Sequence, residues 1–320
     1  RGMRLCPMLA IFLKTLPFFA VIGLGFMAGR QRFFTPEATA YLTKFVFYFA
    51  LSAMLFRFAA NLSVSEIYST RFVLAYLAGC LAVYALAAGV ALARGVTLEE
   101  AAVEAQCAVI GNTGFLGVPM LVVLLGPQAA GPVLMVLAID LMVFSSLITL
   151  IITGVRQGQM SLGIFRSLGL GLLKNPMIVS IVLGLAWSAT GVAVPAVANE
   201  FLQLLGAAAT PGALFAIGAS LATKSAERLG VAVWLSFCKL ILHPLAVAIA
   251  ALGLFRVEPQ AAGVMIAAAA LPVAGNVYIL AQHYGIAPQR VSASILISTA
   301  VSILTVTVVI AWVLEQGAGR

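Results

Sequence analysis

The sequence predicts an all-α integral membrane protein of ten transmembrane helices, arranged as two inverted five-helix repeats. Three observations carry that prediction. Only 9% of the 320 residues are charged and 63% are hydrophobic, against roughly 25% charged residues in a soluble domain. The apolar residues gather into ten runs, each near the ~20 residues that cross a hydrocarbon core. Matching features then recur in the two halves at a nearly constant spacing.

The runs lie at 9–29, 38–58, 70–93, 99–125, 129–155, 176–196, 199–222, 229–254, 259–284 and 289–314, spans 1 to 10 in order. Span 1 follows Arg1 and Arg4 but is longer than a signal-peptide core of ~7–15 residues, contains Lys14 and has no small-residue cleavage site. It is therefore read as a helix. Several spans open with helix-start chemistry: Thr35 before Pro36, Asn175 before Pro176, and Pro259 and Pro288 in first turns. Thr97-Leu98-Glu99-Glu100 reads as a capping box, with Glu100 able to reach back to the cap.

Ten spans place the loops on alternate sides. One side holds Arg30, Arg32, Arg94, Arg156, Arg166, Lys174, Lys224, Arg228 and Arg290; the other holds Arg1, Arg4, Arg57, Arg71, Arg256 and Arg320. The richer side is expected to be cytoplasmic, which puts both termini outside a cell (inner) membrane. The net charge of +8 therefore reports topology. No basic domain for nucleic acid forms, because these cations sit at loop ends between apolar runs. The connection from Arg156 to Lys174 is expected to be a cytoplasmic linker, dividing the chain into a first repeat at 1–155, the linker at 156–175 and a second repeat at 176–320.

The halves match in detail. Leu51-Ser52-Ala53-Met54-Leu55-Phe56 in span 2 parallels Pro211-Gly212-Ala213-Leu214-Phe215-Ala216 in span 7. Span 4 opens at Glu99 and closes at Gly126; span 9 opens at Glu258 and closes at Gly285, each pair 159 residues apart (258 − 99; 285 − 126). Five spans per half is odd, so the second copy enters the membrane from the opposite side.

Span 4 is interrupted by Gly111-Asn112-Thr113-Gly114-Phe115-Leu116-Gly117-Val118-Pro119, and the matching window in span 9 reads Ala270-Leu271-Pro272-Val273-Ala274-Gly275-Asn276-Val277-Tyr278. Irregular backbone at membrane depth is tolerated only inside protein or along a wet cavity, and paired interruptions in two halves point to a transport site. Each break offers a half-helix N-terminus with free N–H groups and about half a positive charge, a site for an anion that needs no Lys or Arg. Asn112, Asn276 and Thr113 add side-chain donors and acceptors, with Gly114, Gly117, Pro119, Pro272, Gly275 and Tyr278 shaping the site.

Four ionisable residues fall within spans, where a charge costs at least ~2.5 kcal/mol. Asp140 is a candidate cation or proton site or a partner for Lys239. Lys239 and His243 stand one helical turn apart on one face, with His243 a hydrogen-bonded packing residue or a proton relay. Glu104 is expected to be solvated at the end of span 4. Cys6, Cys80, Cys107 and Cys238 are scattered, which indicates small packing residues and neither disulfides nor a metal site. No Ser/His/Asp set, Walker motif, HExxH or paired Cys cluster appears, so no enzyme is expected and no cofactor beyond coupling to H⁺ or Na⁺.

GNTGFLGVP at 111–119, the Pro-Gly-Ala-Leu-Phe-Ala-Ile-Gly stretch at 211–218, Lys239-Leu-Ile-Leu-His243-Pro244 and the Leu-Pro-Val-Ala-Gly-Asn-Val-Tyr stretch at 271–278 resemble the auxin efflux carrier family, particularly its bacterial malonate and malate permease-like members. The resemblance implies that broken spans 4 and 9 cross. It also implies a scaffold and dimer domain from spans 1, 2, 6 and 7 beside a moving transport domain from spans 3–5 and 8–10. The expected activity is secondary transport of a small organic anion, a dicarboxylate or an auxin-like carboxylate, by an elevator motion, in a homodimer within a lipid bilayer. Ser52 departs from the proline often found there. Two rival readings are a monovalent cation/proton antiporter using Asp140 and a membrane sensor with a transporter-like fold.

Overall fold

A computed structural model describes residues 7–62, 69–157, 169–222 and 229–318, which are all-helical apart from turns and one isolated β-bridge. Besides a helical stretch at 169–174, the chain forms α1 Pro7–Arg30, α2 Pro36–Ala60, α3 Thr70–Ala93, α4 Leu98–Val109, α5 Thr113–Leu125, α6 Pro127–Arg156, α7 Pro176–Ala189, α8 Ala196–Leu221, α9 Leu229–Leu254, α10 Pro259–Ala269, α11 Gly275–Tyr284 and α12 Pro288–Ala318. Seven of them, α1, α2, α3, α6, α8, α9 and α12, are long and apolar enough to cross a bilayer. Their outer faces carry large apolar side chains such as Leu24, Phe49, Val197, Leu204 and Leu304, the pattern of a surface solvated by lipid.

The helix starts follow local chemistry. Thr35 Oγ1 accepts from Ala38 N–H at 3.2 Å, Asn175 Oδ1 from Met177 N–H at 3.0 Å, and Glu258 caps α10 through the N–H groups of Gln260 and Ala261. Each satisfies donors that the first turn leaves without intrahelical partners. Thr97 likewise caps α4 through Glu100 N–H at 3.2 Å. The reciprocal half of the capping box is absent, because the Glu100 carboxylate is drawn away to Arg290, 3.0 Å distant.

One span and one break are shorter than expected. Span 6 ends at Ala189, where Thr190 and Gly191 (φ +69°) turn the chain ahead of Pro195. The break in span 4 is confined to 110–112: Thr113–Gly117 already forms a π-turn, and Pro119 sits in the first α-helical turn of Val118–Leu125, where its missing N–H costs nothing. The linker expected at 156–175 and its Arg166, with Lys224, Arg228 and Cys6, lies largely or wholly outside the described residues.

Small residues set the closest helix contacts. A Cβ on Gly25 would stand 2.1 Å from Phe215 O, and one on Gly218 1.9 Å from Ile22 O, so α1 and α8 touch backbone to backbone. A Cβ on Gly184 would meet Phe56 O at 2.7 Å, fixing α7 against α2. Elsewhere α3 packs on α4 and α9, α9 on α12, and α10 on α6, α9 and α12. Thr15 and Thr307 join α1 to α12 through a buried 2.9 Å hydrogen bond.

Candidate functional site

The two interruptions meet. Gly111 and Val273 form an antiparallel bridge, flanked by Asn112 N–H to Pro272 O at 2.8 Å and Ala274 N–H to Ile110 O at 3.0 Å. Each broken helix thereby satisfies the backbone of the other, as irregular chain at membrane depth must. The antiparallel sense puts the start of α5 beside the end of α10, and the start of α11 beside the end of α4. Each half-helix N-terminus, with its partial positive charge, faces the partial negative charge of the other's C-terminus.

Glycines let the neighbouring groups come close here. A Cβ at Gly111 would lie 3.3 Å from Ala268 O and from Lys239 Cε and Nζ, one at Gly117 would lie 2.5 Å from Leu271 Cδ1, and one at Gly114 2.3 Å from Met177 Cε. Pro272 supplies an acceptor and no donor, which suits a position whose carbonyl alone is used. Val273 N–H turns away to Ser298 Oγ on α12 at 3.1 Å.

The surroundings of the two starts differ. Beside α5, Asp140 is buried and accepts from Tyr76 Oη at 2.8 Å and from Thr113 Oγ1 at 3.3 Å. Lys239 is fully buried and donates to Ala269 O, so a cation caps the C-terminus of α10. Its ammonium lies 3.0 Å from His243 Nδ1, and His243 Nε2 lies 3.1 Å from Cys80 Sγ. His243 Nδ1 also lies 3.2 Å from Ala269 O, so one edge of the ring meets the lysine and a backbone carbonyl while the other meets the Cys80 thiol. Asp140, Thr113 and Lys239 all fall in π-turns, which recur at functional sites.

Beside α11, the environment is open. A Cβ at Gly275 would meet nothing within 4 Å, and Asn276 Oδ1 is buried with no hydrogen-bond partner among the described residues. The Asn112 side chain, 8% exposed, makes no hydrogen bond that the described residues supply. Tyr278 accepts from Gln282 Nε2 at 2.9 Å along its own helix.

The structure thus brings Asn112, Thr113, Pro272, Gly275 and Asn276 to one crossing, with Gly117 on Leu271 and with Asp140, Lys239 and His243 nearby, while Gly114 faces Met177, Pro119 lies farther along α5 and Tyr278 bonds within α11. Asp140 and Lys239 are absent from the ion pairs among the described residues; each is held by other groups. Three participants escaped sequence reasoning. Tyr76 and Cys80, four residues apart on span 3, carried the signal of a shared helical face, and Ser298 carried none. Glu104 is a correction. It is 1% exposed rather than solvated, because Arg94 and Arg290 close over it, Arg290 at 2.9 Å.

A family model described as "Membrane transport protein" matches residues 10–310. The chain belongs to that family. This member of the membrane transport protein family is 30% identical over 300 residues to the "Putative malonate transporter" of Rhizobium meliloti (strain 1021), covering 91% of this chain and 92% of the relative. It is 27% identical over 298 residues to the "Uncharacterized transporter YfdV" of Escherichia coli (strain K12), covering 91% and 94%. It is accordingly a multi-pass membrane transport protein and not an enzyme, as the missing catalytic motifs led us to expect.

Proposed function

We propose that this protein is a secondary active transporter of a small dicarboxylate such as malonate, working by alternating access at the crossing of the two broken helices. The observation that supports the reading is the backbone pairing of the breaks, which sets two half-helix N-termini on either side of one crossing, each beside an asparagine. Such a site neutralises a carboxylate with fixed dipoles while leaving it free to depart. The malonate in the name of the Rhizobium relative agrees with that chemistry.

Ten membrane crossings in two inverted five-helix repeats are part of this reading, α4–α5 and α10–α11 each counting as one. Helix ends support the duplication: Arg30 and Ala189 are 159 residues apart (189 − 30), as are Leu125 and Tyr284 (284 − 125). The close glycine contacts among α1, α2, α7 and α8 suit a scaffold that pairs as a homodimer, with α3–α6 and α9–α12 moving as the transport domain in an elevator motion. The arginine-rich loops face the cytoplasm of an inner-membrane protein and both termini face outward. Coupling to H⁺ or Na⁺ would fall to Asp140.

Purified protein should be stabilised thermally by malonate, and Asn112→Ala and Asn276→Ala should lose that stabilisation while keeping the ligand-free unfolding temperature. Unchanged malonate binding in both variants refutes the site. The buried carboxylate ringed by two hydroxyls favours one rival, monovalent cation/proton antiport. In proteoliposomes free of organic anion, Na⁺ should leave an imposed pH gradient intact; its dissipation would establish the rival.

A further inference from the structure

The two half-helix starts are electrically unequal, and the difference suggests how a proton could be tied to the cargo. α11 begins in open space at Gly275. α5 begins at Thr113, whose hydroxyl already serves the Asp140 carboxylate, so an anion belonging to the protein stands where an anion of the substrate would be drawn. We propose that the ionised Asp140 and the second carboxylate of a dicarboxylate compete for the first turn of α5, so that each dicarboxylate is bound together with one proton carried on Asp140. The proposal rests on the dicarboxylate site described above and assigns its coupling ion.

The groups around Asp140 fit this role. Tyr76 and Cys80 face the site from α3, Thr113 from α5, and Lys239 and His243 from α9. Glu104 on α4 is engaged by Arg94 and Arg290, and Arg57 on α2 by Asn199 and Gln203; α7 and α10 carry no charged side chain. Among the described residues Lys239 is the one cation close by, and its ammonium bonds to Ala269 O and His243 and makes no ion pair with Asp140. The hydrogen bonds that the described residues give the Asp140 carboxylate come from two hydroxyls, and of these Thr113 belongs to the helix start itself. Protonation forms an O–H bond on the carboxylate with a proton from the open side. Thr113 Oγ1 is then free to turn to the cargo, the first turn of α5 no longer faces a competing negative charge, and the proton leaves Asp140 to solvent on the far side once the dicarboxylate has gone.

The test measures proton uptake by a pH-indicator dye when malonate is added to wild-type protein in weak buffer above neutrality, with protein-free malonate titrated alongside. About one proton should be taken up per malonate bound once the free protein holds Asp140 ionised, and in that range malonate affinity should fall about tenfold per pH unit as pH rises. Asp140→Asn, a fixed stand-in for the protonated acid, should bind malonate with no pH slope and support malonate counterflow while losing accumulation driven by a pH gradient. Thr113→Val, which keeps the carboxylate and removes the hydroxyl link, should take up less than half as many protons; it also covers the case in which Asp140→Asn does not fold. Malonate binding without proton uptake, an affinity that follows Na⁺ instead of pH, or gradient-driven accumulation retained by Asp140→Asn would each overturn the coupling and leave the dicarboxylate site standing. Failure of wild-type protein to bind malonate or any other dicarboxylate overturns both.

Discussion

Removing the charge of Glu104 tests the structure against the plainest alternative, that a glutamate near a helix end is solvated. Its side chain is 2% exposed and sits between Arg290, 11% exposed, and Arg94, 32% exposed; Arg290 also reaches Glu100, 29% exposed. Glu104→Gln keeps the shape and leaves the two guanidiniums without their shared counter-charge. Breaking a fully buried pair from one side costs about 3–5 kcal/mol. Two features lower that figure here: Arg290 retains Glu100, and Arg94 can turn to solvent, where an ion pair is worth only about 0–1 kcal/mol.

The expected loss is therefore about 2–3 kcal/mol, which corresponds to a fall in Tm of roughly 4–10 °C for a chain of this size. Arg290→Gln should cost a similar amount, and Arg94→Gln less than about 1 kcal/mol. The order is the discriminating result, read by differential scanning fluorimetry in detergent. If Glu104→Gln unfolds within about a degree of wild type, the carboxylate is solvated and the buried cluster is wrong. If Arg94→Gln is the most damaging of the three, the assignment of Arg290 as the principal partner fails.

Two further outcomes follow from single contacts. Ser298→Ala leaves Val273 N–H unpaired beside the crossing; an unsatisfied buried donor costs about 1–3 kcal/mol, so both the Tm and malonate binding should fall, with recovery in Ser298→Thr, measured by thermal shift with and without ligand. Gly218→Ala sets a Cβ 1.9 Å from Ile22 O, which forces α1 away from α8; overpacking of this kind costs about 1–3 kcal/mol or more, whereas Gly275→Ala, with open space around it, should leave the Tm unchanged.

The positions of the breaks were legible in the sequence because glycine, proline and asparagine are conspicuous in an apolar run and because they recur at a fixed spacing. The break length was not: nine residues looked irregular, and the chain needed only 110–112, since glycines at 114 and 117 serve close packing on Met177 and Leu271 and Pro119 serves a helix start. Residue type alone does not separate a glycine needed for backbone freedom from one needed for lack of a side chain. Lys239 and His243 were legible as neighbours from their spacing of four, but their partners were not, since Ala269 O is a backbone atom and Cys80 lies 163 residues away. Glu104 was misread because distance from a helix end says nothing about which arginines fold over it, and Arg290 is 186 residues distant.

Under the proposed repeat, the positions equivalent to Asp140 and Lys239 are Thr299 and Cys80, at the same spacing of 159 (299 − 140; 239 − 80). Duplication accounts for the two breaks but not for the charges beside them: one half supplies a carboxylate against the start of α5, the other an ammonium against the end of α10. The ammonium stabilises the negative end of α10 and so strengthens the crossing itself. The carboxylate does the reverse, since its interaction with the first turn of α5 must be given up for that turn to serve a second anion. A site with two equal starts would hold a dicarboxylate whatever the pH. Placing a titratable anion at only one of them makes the second carboxylate conditional on a proton, while the open start at Gly275 and Asn276 remains available for the first.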